Sequence, residues 1–599
     1  MKKTGAQIIV KLLEDLGIKT VAGIPGGSIL PLYDELNKSS IQHVLVRQEQ
    51  AAGFIAQGMT RSTGLPAVCL ATSGPGAMNL LTSVADARAD SIPIITITGQ
   101  VNTTLIGTDA FQEADTFGLS FPITKHSVMI KDAHELLEAI PQAFSIACTG
   151  RPGPVLIDIP RNVQLQEVEF DEWPQVKPVI DFARQCENCS EYTKDYDNNR
   201  NVKHCEHLQL ESRAEEKIIQ IKEALYNAKR PVLYCGGGCN NPFAAKAIDD
   251  IQKIYSMPLV TSLMGLGCYP ESKKEFIGMV GMHGSYAANL AMYEADLVIA
   301  AGVRFDDRAT GLVSKFCPNA KVIHIDIDAA EVDKIMPANI SMVYPVDKAF
   351  EELKAAFAKD KNAEKISNSD REKWLEKIIK TKKENDSITM GRPEGEKLAN
   401  PREFISSVAE LAEKTGVKAQ DLIVTTDVGQ HQMWAAQYYP IERARSFLTS
   451  GSLGTMGFGL PAAIGASLAN PDKRVVCFSG DGSIMMNIQE MATLAELNLP
   501  VTIIVFQNGT LGMVYQQQKY LFEKNYSASI FARQPDLLSI AKGFGIEAID
   551  ADSDPEWYKK AFDTNRKNKP CFVRCSVDSE ENVLPFVPGG KANIESIRE

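Results

Sequence analysis
No stretch of this 599-residue chain stays apolar for long enough to span a bilayer, which sets aside helical membrane functions. A surplus of positive charge is missing too. Against 63 Lys and Arg stand 75 Asp and Glu, a formal net charge of −12. That argues against nucleic acid as a partner and leaves small acidic substrates dependent on locally placed Arg or Lys. A secretory signal is absent: MKKTGAQIIVKLLEDLG starts with two lysines, but Lys11, Glu14 and Asp15 interrupt its apolar part. It reads as an amphipathic first helix. Nor do the 12 cysteines suggest a disulfide framework; most are scattered, several inside apolar strands (Cys69, Cys235, Cys477, Cys571), as expected in a reducing cytoplasm. The remainder, 44% hydrophobic and 23% charged, is ordinary globular protein, long enough for about three or four domains.

Residues 475–515 organise the rest. Residues 475–479 form a short apolar run ending in a Gly-rich turn, residues 484–497 have helical periodicity, and residues 501–506 form a second run, rich in β-branched side chains, that breaks at Gln507, Asn508 and Gly509. This is a β-α-β unit whose two breaks fall at the carboxyl ends of neighbouring parallel strands, where open α/β sheets bind ligands. Asp481 is therefore expected near Asn508. A carboxylate, an amide oxygen and a turn carbonyl at Thr510 are hard oxygen ligands suited to Mg²⁺. Gly480, Gly482 and Ser483 open the helix, so their N–H groups would face a bound phosphate. Each turn alone would be unremarkable structure; the pair at this spacing points to a metal–diphosphate site.

Residues 1–165 alternate helix and strand signals, with buried runs at 66–72, 92–98 and 154–159, as in a doubly wound α/β domain. Glu49 falls at a strand's carboxyl edge before a helix at 51–60, where a lone glutamate is usually an N-terminal helix charge. Residues 166–215 lose the pattern and read as a linker with a polar insertion. Alternation returns over 216–350, where strands lead into Gly236, Gly237 and Gly238, into GVRFDDR (302–308) and into Asp326. Triple glycine after a strand is by itself a weak dinucleotide signal, with packing as its default reading. Residues 351–400 read as a charged, solvated helical linker, and 401–599 as a third α/β domain. There Gln430 and His431 sit at a strand end and Met456 in a Gly-rich turn; the bland readings are a packed histidine and loop packing.

The GDG…N arrangement resembles the diphosphate–metal motif of thiamine-diphosphate enzymes. Together with RQEQ (47–50), TSGPGAMN (72–79), TGQV (98–101), IGTDAFQE (106–113), TKHS (124–127), VGQHQMWAAQYY (428–439) and TSGSLGTMGFGLPAAIGA (449–466), it is similar to the acetohydroxyacid synthase large subunits. That resemblance implies three doubly wound parallel-sheet domains of similar topology: a pyrimidine-binding, a central FAD-binding-type and a diphosphate-binding domain. It implies that pyruvate is decarboxylated on thiamine diphosphate and condensed with a second 2-oxoacid, giving 2-acetolactate or 2-aceto-2-hydroxybutyrate in branched-chain amino acid biosynthesis. Glu49 would hydrogen-bond the cofactor's pyrimidine, a task for a carboxyl and not an amide. The backbone of Gly454 would bond the same ring, Met456 would prop the bent cofactor, and Gln430 and His431 would contact the diphosphate. Arg308 would face a 2-oxoacid carboxylate, Gln112 and Phe111 would lie near the reacting substrate, the loop at Gly26 and Gly27 would close over it, and the tail at 583–592 would cap the site. Arg151, Gly236, Gly237, Gly238, His283, Gly302, Arg304 and Asp326 would hold a structural FAD. Since Glu49 and the metal site come from different subunits in this family, the resemblance implies a homodimer or homotetramer with interfacial active sites. It admits a separate small regulatory subunit.

Two departures stand out. Pro345 and Val346 replace a typical Gly-Asp pair after the central domain's last strand, with Asp347 one place later; Gln517 stands where many members carry tryptophan nine residues after the metal-ligand asparagine. The insertion adds Cys186, Cys189, His204, Cys205 and His207, a zinc-like set with a cramped second half, for which a surface loop with incidental cysteines is the favoured reading. Two rivals are a thiamine-dependent 2-oxoacid oxidase or decarboxylase, separated by its product from pyruvate, and a non-catalytic nucleotide-binding relative. The latter's mark would be loss of Glu49 or Asp481, and both are present.

Overall fold
A computed structural model describes residues 1–187, 207–359, 369–389 and 398–598. Of the cysteine–histidine cluster, Cys189, His204 and Cys205 lie outside the described residues. Between β1 (Lys2–Thr4) and β8 (Glu167–Glu169), which pair as an antiparallel ribbon, lies the first sheet: β2 (Thr20–Gly23), β3 (Gln42–Leu45), β4 (Ala67–Ala71), β5 (Ile94–Gln100), β6 (His126–Met129) and β7 (Val155–Pro160). The second holds β9 (Pro231–Cys235), β10 (Leu259–Thr261), β11 (Phe276–Met279), β12 (Leu297–Ala301), β13 (Lys321–Asp326) and β14 (Ile340–Val343). The third holds β15 (Leu422–Thr426), β16 (Phe447–Leu448), β17 (Arg474–Gly480), β18 (Val501–Gln507), β19 (Glu547–Asp550) and β20 (Cys571–Ser576). All three are six-stranded and parallel, covered by helices, because their central strands are continuous apolar runs that must be buried on both faces.

The topologies are not all alike. The first and third sheets run β3-β2-β4-β5-β7-β6 and β16-β15-β17-β18-β20-β19, the same order counted from each sheet's own first strand. The central sheet runs β11-β10-β9-β12-β13-β14, or 3-2-1-4-5-6, the order of dinucleotide-binding sheets. The central order reverses direction once, between β9 and β12; the first and third reverse between β2 and β4 and between β15 and β17, and step back once more at their far edges. Such a switch point opens a crevice at the strands' carboxyl ends.

The first and third domains are clamped by two helices, Glu49–Thr63 and Gly459–Ala469. Both are buried nearly all round, as expected for helices without a polar face. Their backbones touch at glycines. A Cβ at Gly58 would lie 2.1 Å from the Ala462 carbonyl oxygen, and one at Gly465 would lie 2.0 Å from that of Ile55.

Two local readings change. The periodic segment 484–497 is broken into a turn of helix, Asp481–Ile484, and a helix, Glu490–Glu496. Between them Asn487 is buried and donates from Nδ2 to the Gly457 carbonyl at 2.7 Å, so a tertiary bond takes precedence over helical continuity. Residues 346–358 and 369–389 are also less solvated than their charge suggests. Helix Val346–Ala358 buries Phe350, Leu353 and Phe357, and helix Ser369–Thr389 buries Trp374, Leu375 and Ile378, with the Trp374 indole donating to the Pro231 carbonyl at 3.2 Å. Among the described residues no helix is long and apolar enough to cross a membrane.

Candidate active site
The carboxyl ends of β17 and β18, next to the third sheet's switch point, carry the metal–diphosphate elements. β17 and β18 run in register, Gly480 beside Phe506, so the turns after them emerge together. The Asp481 carboxylate accepts from the N–H groups of Asn508 (3.2 Å) and Gly509 (2.8 Å) and from Gln534 Nε2 (3.2 Å). The Asn508 amide oxygen accepts from the Thr510 N–H at 3.0 Å and hydroxyl at 3.1 Å. Burial pushes the Asp481 carboxyl up to about 6, while the N–H donors of Gly509, Gly482 and Asn508 draw it down. Among the described residues no three His, Cys, Asp or Glu side chains group as a metal site. A cation here would therefore rest on one carboxylate, an amide oxygen and a turn carbonyl, a hard set that fits Mg²⁺ and would relieve the buried Asp481 charge.

After β15, Gln430 and His431 start the helix Gln430–Tyr438 and are both buried. His431 Nε2 is buried with no partner among the described residues, and a Cβ added at Gly480 would sit 2.9 Å from His431 Nδ1. An orphaned ring nitrogen beside a glycine turn is a cradle open to a phosphate oxygen. Burial holds His431 down to about 3, so the ring is neutral at ordinary pH. Gln430 is more occupied. Its Nε2 donates to Gln516 Oε1 (3.0 Å) and the Glu581 carbonyl (2.9 Å), and its Oε1 accepts from Asn508 Nδ2 at 3.2 Å. Ser483 Oγ donates to the Val428 carbonyl at 2.5 Å. Gly454 (φ 65°) and Gly457 (φ 89°) adopt left-handed backbone on either side of Met456, which is half-buried.

Glu49 begins its helix, half-buried, and its carboxylate accepts from Asn79 Nδ2 at 3.0 Å. Gln112 (φ 61°) packs its backbone over Gly74, where a Cβ would lie 2.7 Å from the Gln112 carbonyl oxygen. Phe111 beside it is 87% exposed. Among the described residues no hydrogen bond or ion pair joins Glu49 to Asp481 or Asn508.

Arg308 lies on the central domain with its side chain 69% exposed, and its Nη1 is 3.6 Å from Met282 Sδ. The C-terminal tail covers this region: Val587 N–H donates to the Met282 carbonyl (2.9 Å) and His283 stacks on Phe586 (5.7 Å between centroids). Tyr520, on the helix Gly512–Leu521 that also carries Gln517, lies 5.9 Å from the same Phe586 ring.

The central switch point opens a crevice of about 1500 Å³, solvent included. Gly237, Gly238, Gly302, Arg304 and Asp326 line it, with Arg151 arriving from the first domain. Gly302 (φ 56°) passes so close to Gly238 that a Cβ on it would lie 2.7 Å from the Gly238 Cα. Bare backbone at strand ends suits a dinucleotide's phosphates. Burial pushes Asp326 up to about 6, and Arg151 donates to Asp328 Oδ2 at 3.1 Å and Glu331 Oε1 at 2.5 Å. Asp347 lines the crevice beside Pro345 and Val346, so a carboxylate does reach its edge despite the shifted sequence. Two expected flavin residues are not among its lining residues. Gly236 is a packing residue, whose Cβ would lie 2.1 Å from the Gly302 carbonyl oxygen, and His283 is the buried partner of Phe586.

The sequence reading passed over Asp427, which is fully buried and accepts from Gly457 N–H at 2.7 Å and Ser479 Oγ at 3.3 Å, and Gln534, which joins the Asp481 carboxylate. A lone aspartate ending an apolar strand was the available signal for the first; nothing local marks the second.

Comparison with known proteins accounts for the whole chain. Residues 3–119 match the N-terminal TPP binding domain of thiamine pyrophosphate enzymes, 218–353 their central domain, and 427–575 their C-terminal TPP binding domain. The chain is 44% identical to the acetolactate synthase isozyme 1 large subunit of Escherichia coli K12 over 597 residues, covering 100% of this chain and 98% of that one. It is 39% identical to the isozyme 2 large subunit of the same organism, covering 99% of each. It is 38% identical to the acetolactate synthase large subunit of Lactococcus lactis, covering 99% of this chain and 96% of that one. The chain belongs to the acetolactate synthase large-subunit family of thiamine pyrophosphate enzymes.

Proposed function
We propose that this chain is the catalytic subunit of an acetolactate synthase, joining two 2-oxoacids, one of them pyruvate, with loss of CO₂. The observation that carries the reading is the convergence of the Asp481 carboxylate and the Asn508 amide on one turn, beside the unpartnered His431 nitrogen. Thiamine diphosphate, when bound, supplies the carbon nucleophile that takes up pyruvate's carbonyl and the electron sink that lets CO₂ leave.

The chain's own groups do the rest. Asp481, Asn508 and the Thr510 carbonyl hold Mg²⁺. The N–H groups of Gly480 and Gly482, the Ser483 hydroxyl, His431 and Gln430 surround the diphosphate, the last after releasing one of its present partners. Gly454 and Met456 position the pyrimidine end. Glu49 of a second copy hydrogen-bonds the pyrimidine and exchanges a proton there. Arg308 offers a guanidinium to a 2-oxoacid carboxylate, and Gln112 orients the reacting carbonyl. Gly237, Gly238 and Gly302 would hold the phosphates of an FAD in the central crevice, where it would serve as a structural group. The enzyme works in the cytoplasm as a homodimer or homotetramer and takes a small regulatory subunit, a reading supported by the relatives' designation as large subunits. The test is incubation with pyruvate, thiamine diphosphate and Mg²⁺. Acetolactate is the expected product; acetaldehyde or acetate in its place refutes the reading.

A further inference from the structure
Helix Pro75–Ala89 of the first domain and its cap place Asp86 and Asp90 side by side, both side chains fully shielded from solvent, against a single guanidinium, Arg61. Arg61 Nη2 is 2.9 Å from Asp90 and 3.3 Å from Asp86. One cation cannot satisfy two buried carboxylates. The remaining donors come from the third domain: the Ser450 and Thr455 hydroxyls (the latter at 2.8 Å) donate to Asp86, and the Gly451 (3.0 Å) and Ser452 (2.9 Å) N–H groups donate to Asp90. Arg61 also donates to the Thr449 carbonyl at 3.0 Å. Immediately beyond, Gly457 is tied on both sides, its N–H to Asp427 and its carbonyl to Asn487, each at 2.7 Å. Gly454 and Met456 are thus strung between two sets of buried polar anchors, one of them from another domain. Moving the loop would leave two carboxylates buried and underpaired.

We propose that Asp86 and Asp90 are positioning residues for the reaction: they fix the loop 450–455 and through it set where Gly454 and Met456 meet the cofactor. This rests on the role given to those two residues under Proposed function. The test compares wild type with Asp86→Asn and with a Ser450→Ala, Thr455→Val variant, which cuts the same bonds from the loop side should the first fail to fold. Amide hydrogen exchange of the cofactor-free proteins is expected to rise at least about tenfold over residues 451–456. In the loaded proteins, exchange of the cofactor's C2 proton is expected to fall about 10²-fold, the usual effect of an ångström-scale misplacement, while the Kd for thiamine diphosphate with Mg²⁺ changes less than about threefold. Unchanged amide exchange, C2 exchange within about threefold of wild type, or a Kd that worsens as steeply as C2 exchange slows would each overturn the proposal. Failure of the wild type to bind thiamine diphosphate sinks the functional reading instead, and amide exchange then still decides whether the carboxylates hold the loop.

Discussion

Glu49 has one described partner, Asn79, and its other carboxylate oxygen is left toward the side where a Cβ on Gly76 would stand 3.4 Å away. Replacing it with glutamine keeps size and helix start but removes the acid–base group. Glu49→Gln is expected to slow C2 proton exchange by roughly 10²–10⁴-fold with little change in thermal unfolding; a wild-type exchange rate, read by NMR, would refute its role. A second residue-scale expectation concerns Asp158, which accepts from Thr98 Oγ1 (2.7 Å) and Gln100 Nε2 (3.0 Å) between β5 and β7. Burial pushes its carboxyl from 3.8 up to about 7. The folded chain therefore keeps a proton that the unfolded chain releases, and stability falls as pH rises from about 4 to about 7. Within that window wild type should lose about 1.4 kcal/mol per pH unit relative to Asp158→Asn. Parallel unfolding curves across the window, with no divergence, would contradict this. Gln517 offers less apolar contact than an aromatic ring, so 2-oxobutyrate should gain little over pyruvate as acceptor. Gln517→Trp is expected to raise its preference by roughly tenfold or more, the worth of one methylene contact; a competition assay showing no gain refutes it.

The helix pair Glu49–Thr63 and Gly459–Ala469 joins the first and third domains of one chain, one helix beginning at Glu49 and the other following Met456. Its closeness depends on Gly58 and Gly465. Gly465→Ala is expected to cost about 1–3 kcal/mol by overpacking, seen as a lowered unfolding temperature. An unchanged temperature would mean that the backbones separate freely. At this scale the sequence was highly legible: β9 and β12 end just before Gly236 and Gly302, as expected, and the other strands read as apolar runs lie within two residues of expectation. Continuous apolar runs announce buried parallel strands whatever surrounds them. Segment 484–497 misled because its periodicity is genuine but Asn487 spends its amide on Gly457, a bond no local pattern encodes.

Across the whole molecule, Asp481, Asn508 and the glycines of the central crevice fall at strand ends, as expected, because those ends are visible in sequence. The topology was not visible. The central sheet's 3-2-1-4-5-6 order differs from its neighbours, since strand order is set by crossover packing that apolar runs do not record. Nor could sequence reveal that Asp86 and Asp90, unremarkable in a helix, answer a loop about 360 positions away. The account as a whole requires a site divided between copies, with Glu49 from one chain and Asp481 from the other. The decisive measurement is the acetolactate formed from pyruvate by a mixture of Glu49→Gln and Asp481→Ala chains, each inactive alone, after exchange of subunits verified by native mass spectrometry. Hybrid dimers carry one intact site in two, so random mixing should restore about a quarter of wild-type activity. Verified hybrids that make no acetolactate would contradict the account.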